Sequence, residues 1–204
     1  MAVAGHEHHH EPAATTTGAA VTAPQPLLDA VRTIEESEQL DGAASALGRV
    51  AEAVVRPGTV HDLLTGTWLG HAVHPLLTDV PIGSWTSASV LDFVGGRSSR
   101  TASRRLVALG NLAAVPTVAT GLAELLHLDR TGRRVGVVHA GANALGLLLY
   151  MRSYRARRRG RHVWGAVLAL AGASAASAGG YLGGHLVIAR KAGTRDERFV
   201  EPGA

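Results

Sequence analysis

The chain has 204 residues, of which 46% are hydrophobic and 18% are charged, and its formal net charge is +4. It contains no cysteine, which excludes disulfide bonds, thiolate metal sites and cysteine-ligated iron–sulphur clusters within the chain. The positive net charge comes from clusters of arginine that are not accompanied by aromatic residues, so the composition argues against nucleic-acid binding.

The first 26 residues show no pattern of a folded element. They are rich in Ala, Thr, Gly, Pro and His, a composition that predicts a disordered tail. The opening residues have neither a basic stretch nor an apolar run, so no secretory signal peptide is expected. The HEHHHE stretch at 6–11 has two interpretations, loose binding of zinc, nickel or copper ions and a solvated tail, and the second is favoured.

The next segment, 27–58, has helical periodicity. Apolar residues recur at intervals of three and four positions, which predicts amphipathic helices. Gly42 is expected to separate two of them, and the RPG sequence at 56–58 is expected to end the second. Because the polar face is acidic, these helices suit a partner or the rim of a bundle better than an anionic lipid surface.

Four long apolar segments follow, and arginines occupy their connections. Each segment is close to the length that an apolar helix needs to cross a bilayer. The sequence therefore predicts an all-α fold, in which a four-helix transmembrane bundle fills a domain at 59–192 and a short tail follows at 193–204. Trp68 is expected to anchor the bundle at the level of the lipid headgroups. The predicted spans are 75–96, 106–126, 135–151 and 163–189.

The arginines are distributed unevenly over the connections between the spans. The first and third connections together carry ten, and the second carries three. Because positively charged loops stay in the cytoplasm, this bias predicts a multi-pass protein of the inner (plasma) membrane with both termini outside. Arg56 and the basic residues after 189 weaken the bias. The lipid bilayer is the first expected partner.

Titratable side chains gather at one level of the predicted bundle, near its outer face. Distance along each antiparallel span places them at similar depth, and ionisable residues within a membrane are costly enough to suggest a function. At the inner end, Asp92 is interpreted as a plain boundary residue near Arg97. The outer ring consists of His71, His74, Asp79, Glu124, His127, His139 and His185.

Two polar stripes support this ring. Each follows helical spacing along one predicted span, and both are expected to face the bundle interior because a polar stripe facing lipid is unfavourable. The stripes are His139, Asn143, Gly146 and Tyr150 on the third span, and Ser174, Ser177, Tyr181 and His185 on the fourth.

Three segments carry a resemblance to a known family: HPLLTDVPIGSW within residues 56–92, RRVGVVHAGANALGLLLY, and GGYLGGHLV. Across 56–189 the chain resembles a bacterial family of four-span membrane domains of uncharacterised function, whose members occur alone or directly before a Rieske iron–sulphur domain. The resemblance implies an electron-transfer context. The motif residues that it carries over are His71, His74, Pro75, Asp79, Pro81, His139, Asn143, Gly184 and His185.

The chain departs from the family pattern in three places. Ala72 stands where relatives often have proline after the first histidine. The closing sequence KAGTRDERFVEPGA holds no Rieske domain, so a Rieske-type or other redox partner is expected to be a separate protein. The connection AELLHLDRTGRR also differs, so the resemblance does not carry over Glu124 and His127.

Three functions compete. The first is a cytochrome-like electron carrier in which His139 and either His74 or His185 ligate haem b. The second is a non-haem metal site, and the third is a non-catalytic anchor in which a hydrogen-bonded ring only holds the helices in register. We expect a non-enzymatic, redox-associated or partner-anchoring membrane subunit, with homo-oligomerisation left open. The candidate metal ligands are His71, His74, Asp79, Glu124, His139 and His185.

Overall fold

The computed structural model describes residues 25–55 and 58–193. The HEHHHE stretch, nearly all of the expected disordered tail and the predicted tail after Gly193 lie outside the described residues. All regular elements of the described part are helical, which confirms the predicted all-α class. The α-helices are α1 Gln25–Glu36, α2 Asp41–Val54, α3 Thr59–Thr65, α4 His74–Val94, α5 Arg100–Leu125, α6 Arg130–Arg158 and α7 His162–Gly184.

Three short helical turns complete these elements. Two are 3₁₀ turns, Glu38–Leu40 before α2 and Thr67–Leu69 after α3, and the third is a π-helical turn, His185–Ala189, that extends α7. Two helix hairpins form the body of the fold, α4 with α5 and α6 with α7. The amphipathic helices α1 and α2 pack on α6, and α3 packs on α5.

The break between α1 and α2 lies at Ser37, which is extended with a ψ of 95°, and the prediction of a break at Gly42 is wrong. Gly42 lies in the first turn of α2. The preceding residue, Asp41, binds Arg130 and Arg134 of α6 through its carboxylate. These contacts tie the start of α2 to α6, so the helix begins before the glycine.

The proline-rich start of the first predicted span forms one continuous helix. α4 begins at His74, with Pro75 in its first turn and Pro81 inside the helix. Pro81 has no N–H and cannot bond the carbonyl of Leu77. That carbonyl instead accepts a hydrogen bond of 3.2 Å from the hydroxyl of Thr117 on α5. The helix is thus continuous, and Asp79 lies on its exposed surface rather than at a cap.

Two helices of the described residues are long and apolar enough to cross a membrane by length and composition. They are Arg100–Leu125 and the continuous segment His162–Ala189, which correspond to the second and fourth predicted spans. The other two predicted spans form helices of 21 and 29 residues. Hydroxyl-bearing residues and aspartates make α4 more polar, and His139, Asn143 and terminal arginines do the same for α6.

Candidate histidine site

Two of the predicted site residues meet between the hairpins. The rings of His74 on α4 and His139 on α6 have centroids 6.2 Å apart and planes inclined at 80°. Both side chains are half-buried. The sequence is thus correct in placing these two histidines at one depth and on facing helices.

Each imidazole is oriented by a carbonyl of its own hairpin. His74 Nδ1 lies 3.0 Å from the Thr117 carbonyl oxygen on α5, and His139 Nδ1 lies 2.7 Å from the Gly179 carbonyl oxygen on α7. A carbonyl only accepts, so Nδ1 carries the proton and donates in both rings. The lone pair of each neutral imidazole is therefore on Nε2, the arrangement that is usual in histidines that bind metals.

Glycines make room for both rings. A Cβ atom at Gly121 of α5 would lie 2.9 Å from Cε1 of His74, and one at Gly183 of α7 would lie 2.9 Å from Cε1 of His139. Distances this short would displace the imidazoles from their carbonyl partners. The two rings are thus seated in equivalent glycine-lined positions on their partner helices.

The site belongs to an internal repeat. α4 and α6 contact each other through three pairs of side chains, and the two members of each pair are separated by the same 65 positions. A constant separation means that the two helices run parallel and in register. The pairs are His74 with His139, Trp85 with Tyr150, and Asp92 with Arg157.

The partner helices follow the same repeat. The carbonyl that orients His74 lies 43 residues after it, and the carbonyl that orients His139 lies 40 residues after it, because the connection between α6 and α7 is shorter. Gly110 lies against Trp85 as Gly172 lies against Tyr150. The two hairpins are therefore equivalent units about an approximate two-fold axis. Residues that contact their own equivalents lie on such an axis, so the histidine pair is on it.

Sequence reasoning missed this repeat, although a signal was present. In both α4 and α6 a histidine is followed after 11 positions by an aromatic residue and after a further seven by a charged residue. Both intervals are close to whole numbers of helical turns, so the three residues share one face. Few residues are identical between α4 and α6 in this register, so the spacing is the signal that could have revealed the relation.

His185 does not join the pair. It begins the π-helical turn after α7, and its Nε2 donates to Glu35 Oε1 of α1 at 3.0 Å. Gly183, two positions earlier, is the residue that contacts His139. Positions two apart on a helix point in nearly opposite directions, so His185 faces away from His139. His185 thus ties α1 to the end of α7.

Charged contacts fasten the N-terminal helices beside the site. Glu35 also accepts from Arg190 at 3.0 Å. Burial alone would raise the pKa of Glu35, but the hydrogen bonds from His185 and Arg190 lower it below its usual value. Hydrogen bonds from Arg134 and then Arg130 hold the pKa of Asp41 well below its usual range. Both carboxylates are therefore ionised near neutral pH and bind α1 and α2 to the bundle.

The remaining predicted metal ligands are dispersed. His71 and Asp79 are exposed. Glu124 lies close to Gly193, whose carbonyl accepts from the backbone N–H of Ala72. Over 25–55 and 58–193, no group of three or more His, Asp or Glu side chains is placed to hold a metal ion.

The two predicted stripes differ in their outcome. On α6 the face of His139, Asn143 and Tyr150 packs against the other helices, which confirms its inward orientation. On α7 the inward orientation is wrong, since Ser174, Ser177 and Tyr181 are exposed. Gly165, Gly172 and Gly179 turn inward instead and permit close approach to α6.

The end of the axis opposite the histidine pair contains a buried ion pair that was not predicted. Arg157 binds Asp92 through two hydrogen bonds of 2.7 and 2.5 Å, and its side chain is completely buried. Ser103 and Ser153 bind the same guanidinium at 2.7 and 3.0 Å. The interpretation of Asp92 as a boundary residue near Arg97 is therefore wrong, because its partner is Arg157, a residue of the predicted third connection.

These features define a class: an all-helical protein in which two equivalent hairpins hold a histidine pair on their common axis. Residues 70–196 match the model of the family DUF2231, which is described as a predicted membrane protein. The chain belongs to this family of membrane proteins of unknown function, which confirms the resemblance seen in the sequence. No curated protein and no solved structure matches the chain.

Proposed function

We propose that the chain is a four-span protein of the inner membrane, a non-catalytic subunit in electron transfer, in which His74 and His139 would hold haem b. The orientation of the two imidazoles carries this proposal. Each donates Nδ1–H to a backbone carbonyl of its own hairpin, which leaves the Nε2 lone pair for a bond to iron.

The number of available ligands favours haem over a non-haem metal. The porphyrin supplies the equatorial nitrogens, so two histidines complete the coordination of haem iron. A non-haem ion needs about three or four protein ligands, and the described part of the chain holds no such group. Bound haem would supply one-electron redox chemistry.

The distribution of apolar side chains supports four spans. Large apolar residues are exposed on all four long helices, including Phe93 on α4 (72% exposed), Leu112 on α5 (71%), Leu148 on α6 (53%) and Ile188 after α7 (80%). Lipid contact accounts for exposure on this scale. Two of the polar residues that lower the hydropathy of α6, His139 and Asn143, face the bundle interior, where a membrane protein tolerates them.

A redox partner would dock at the end of the bundle that holds the histidine pair. That end also holds α1 and α2, which Arg134 and His185 fasten to the bundle. The resemblance to domains found before Rieske centres supports a Rieske-type or other redox protein as this partner. Both the partner and the cofactor would then lie on the outer side of the membrane.

The proposed N-out, C-out orientation predicts the reactivity of introduced cysteines. Ser45 on α2 and Ser98 between α4 and α5 are both exposed, and the chain has no cysteine of its own. In spheroplasts, Ser45→Cys is expected to react with a membrane-impermeant maleimide, and Ser98→Cys only after lysis. The converse pattern would place the histidine pair at the cytoplasmic face.

The haem proposal predicts a spectral change in defined variants. The chain is expressed with added δ-aminolevulinate, purified in detergent and measured oxidised and reduced. The wild type is expected to show the sharp bands of six-coordinate haem b, and His74→Ala and His139→Ala to lose bound haem or its six-coordinate spectrum, because each removes one axial ligand. His185→Ala is the matched control and is expected to keep the spectrum, since His185 binds Glu35.

Two results would contradict the haem proposal. One is a wild-type protein that is free of haem after purification and does not bind added hemin. The other is a loss of the haem spectrum in His185→Ala but not in His74→Ala. Elemental analysis on the same samples would detect a non-haem metal.

A further inference from the structure

A basic cleft lies at the end of the bundle opposite the histidine pair. It occupies about 570 Å³ between the end of α6 and the start of α7. At the end of α6, Arg152, Arg155 and the following residue Arg159 are spaced by one helical turn each and line the cleft. Arg161, Trp164 and Leu168 line it from the side of α7.

The arginines of the cleft have no counter-ion within the described residues. None of the four forms a salt bridge or a side-chain hydrogen bond over 25–55 and 58–193, whereas Arg130, Arg134, Arg157 and Arg190 each bind a carboxylate. Four exposed guanidinium groups around one cleft give it a positive potential, which attracts anions. The cleft therefore has the charge of an anion site.

The α7 wall of the cleft shows what kind of anion fits. Trp164 is 55% exposed, and Leu168 follows one helical turn further into the proposed membrane. Below the arginines the wall is thus apolar. A free phosphate ion would contact only the arginine mouth, whereas a phospholipid would also contact the tryptophan and the leucine with its glycerol and acyl chain.

We propose that this cleft binds an acidic phospholipid, with its phosphate among Arg152, Arg155, Arg159 and Arg161 and an acyl chain along Trp164 and Leu168. Guanidinium groups bind phosphate oxygens in pairs, and tryptophan favours the headgroup level. Basic pockets between membrane helices on the cytoplasmic side suit such headgroups. The inference rests on the proposed four-span arrangement and orientation, but it is independent of the haem proposal.

The test compares two double variants of equal charge. Arg155→Gln/Arg159→Gln removes two guanidinium groups from the cleft, and Arg97→Gln/Arg105→Gln removes two exposed ones from the connection between α4 and α5. Binding of phosphatidylglycerol and phosphatidylcholine to the detergent-solubilised chain is titrated by native mass spectrometry. The cleft variant is expected to bind phosphatidylglycerol about 25-fold more weakly, at roughly fivefold for each of the two arginines. The control variant is expected to bind it as the wild type does.

Three results would overturn the proposal. Equal weakening in both double variants would show a general effect of charge, and equal affinity for phosphatidylcholine would show that the acidic headgroup is not recognised. Displacement of the lipid by millimolar inorganic phosphate would show that the apolar wall contributes nothing. The cysteine reactivities report the orientation of the chain separately, so failure of the lipid site is distinguishable from failure of the four-span arrangement.

Discussion

Asp92→Leu is expected to lower the free energy of unfolding by about 3–5 kcal/mol, because it leaves a buried guanidinium without its carboxylate. Arg157 donates two hydrogen bonds to Asp92, and its side chain has no exposed surface. Arginine cannot relieve the strain by losing its proton. Unfolding of the detergent-solubilised chain by sodium dodecyl sulphate, followed by circular dichroism, measures the loss.

Two further variants distinguish the loss of the ion pair from the general effect on stability of removing a charge. Arg158→Met changes an exposed neighbour and is expected to shift stability by less than about 0.5 kcal/mol. The double variant Asp92→Leu/Arg157→Met is expected to recover most of the loss, since apolar residues of similar volume replace buried ion pairs well. If Asp92→Leu behaves like Arg158→Met, the buried pair does not form.

The sequence alone does not reveal which arginine pairs with Asp92. Arg157 lies among six arginines around the third connection, and a count of charges treats all six as loop residues. The structure places it in the last turn of α6 facing Asp92, 65 positions away. The rotation of a helix end about its axis is set by packing, and the run of arginines offers no apolar neighbour that would single out position 157.

The helices themselves were predictable, because they follow from local signals. The fourth predicted span begins one residue after α7 begins and ends with the π-helical turn at Ala189. The length of the apolar run determines where such a helix begins and ends. Depth was predictable for the same reason, since residue count converts directly into rise along a helix. His74 and His139 were therefore correctly placed at one level.

The direction of a side chain about its helix was less predictable. His185 has the depth of His139, but its partner Glu35 lies 150 positions earlier, in a helix that the bundle prediction leaves at the rim. The outward direction of Ser174 and Ser177 has a related cause. Glycine has no side chain, so it contributes little to a pattern of apolar and polar positions. The inward glycines of α7 nevertheless decide which face of the helix approaches α6.

Gly110→Ala is expected to lower the free energy of unfolding by about 1–3 kcal/mol, the cost of overpacking a filled core. A Cβ at this position would overlap Trp85 Nε1 and lie 2.5 Å from its Cδ1. The indole cannot move aside, because Tyr150 stacks on it at a centroid distance of 4.2 Å and its Nε1 donates to Asn111 Oδ1 at 3.2 Å.

The control for this variant is Gly180→Ala on α7, where a Cβ would meet no atom within 4 Å. That change is expected to be neutral or to stabilise the helix by up to about 1 kcal/mol, the difference in helix propensity between the two residues. Tryptophan fluorescence during unfolding measures both variants. A lower free energy of unfolding in Gly110→Ala, with no change or an increase in Gly180→Ala, would support the packing of Trp85 and Tyr150 on the axis. A neutral Gly110→Ala would show that Trp85 is not held between Gly110 and Tyr150, and the equivalence of the two hairpins would lose its central pair.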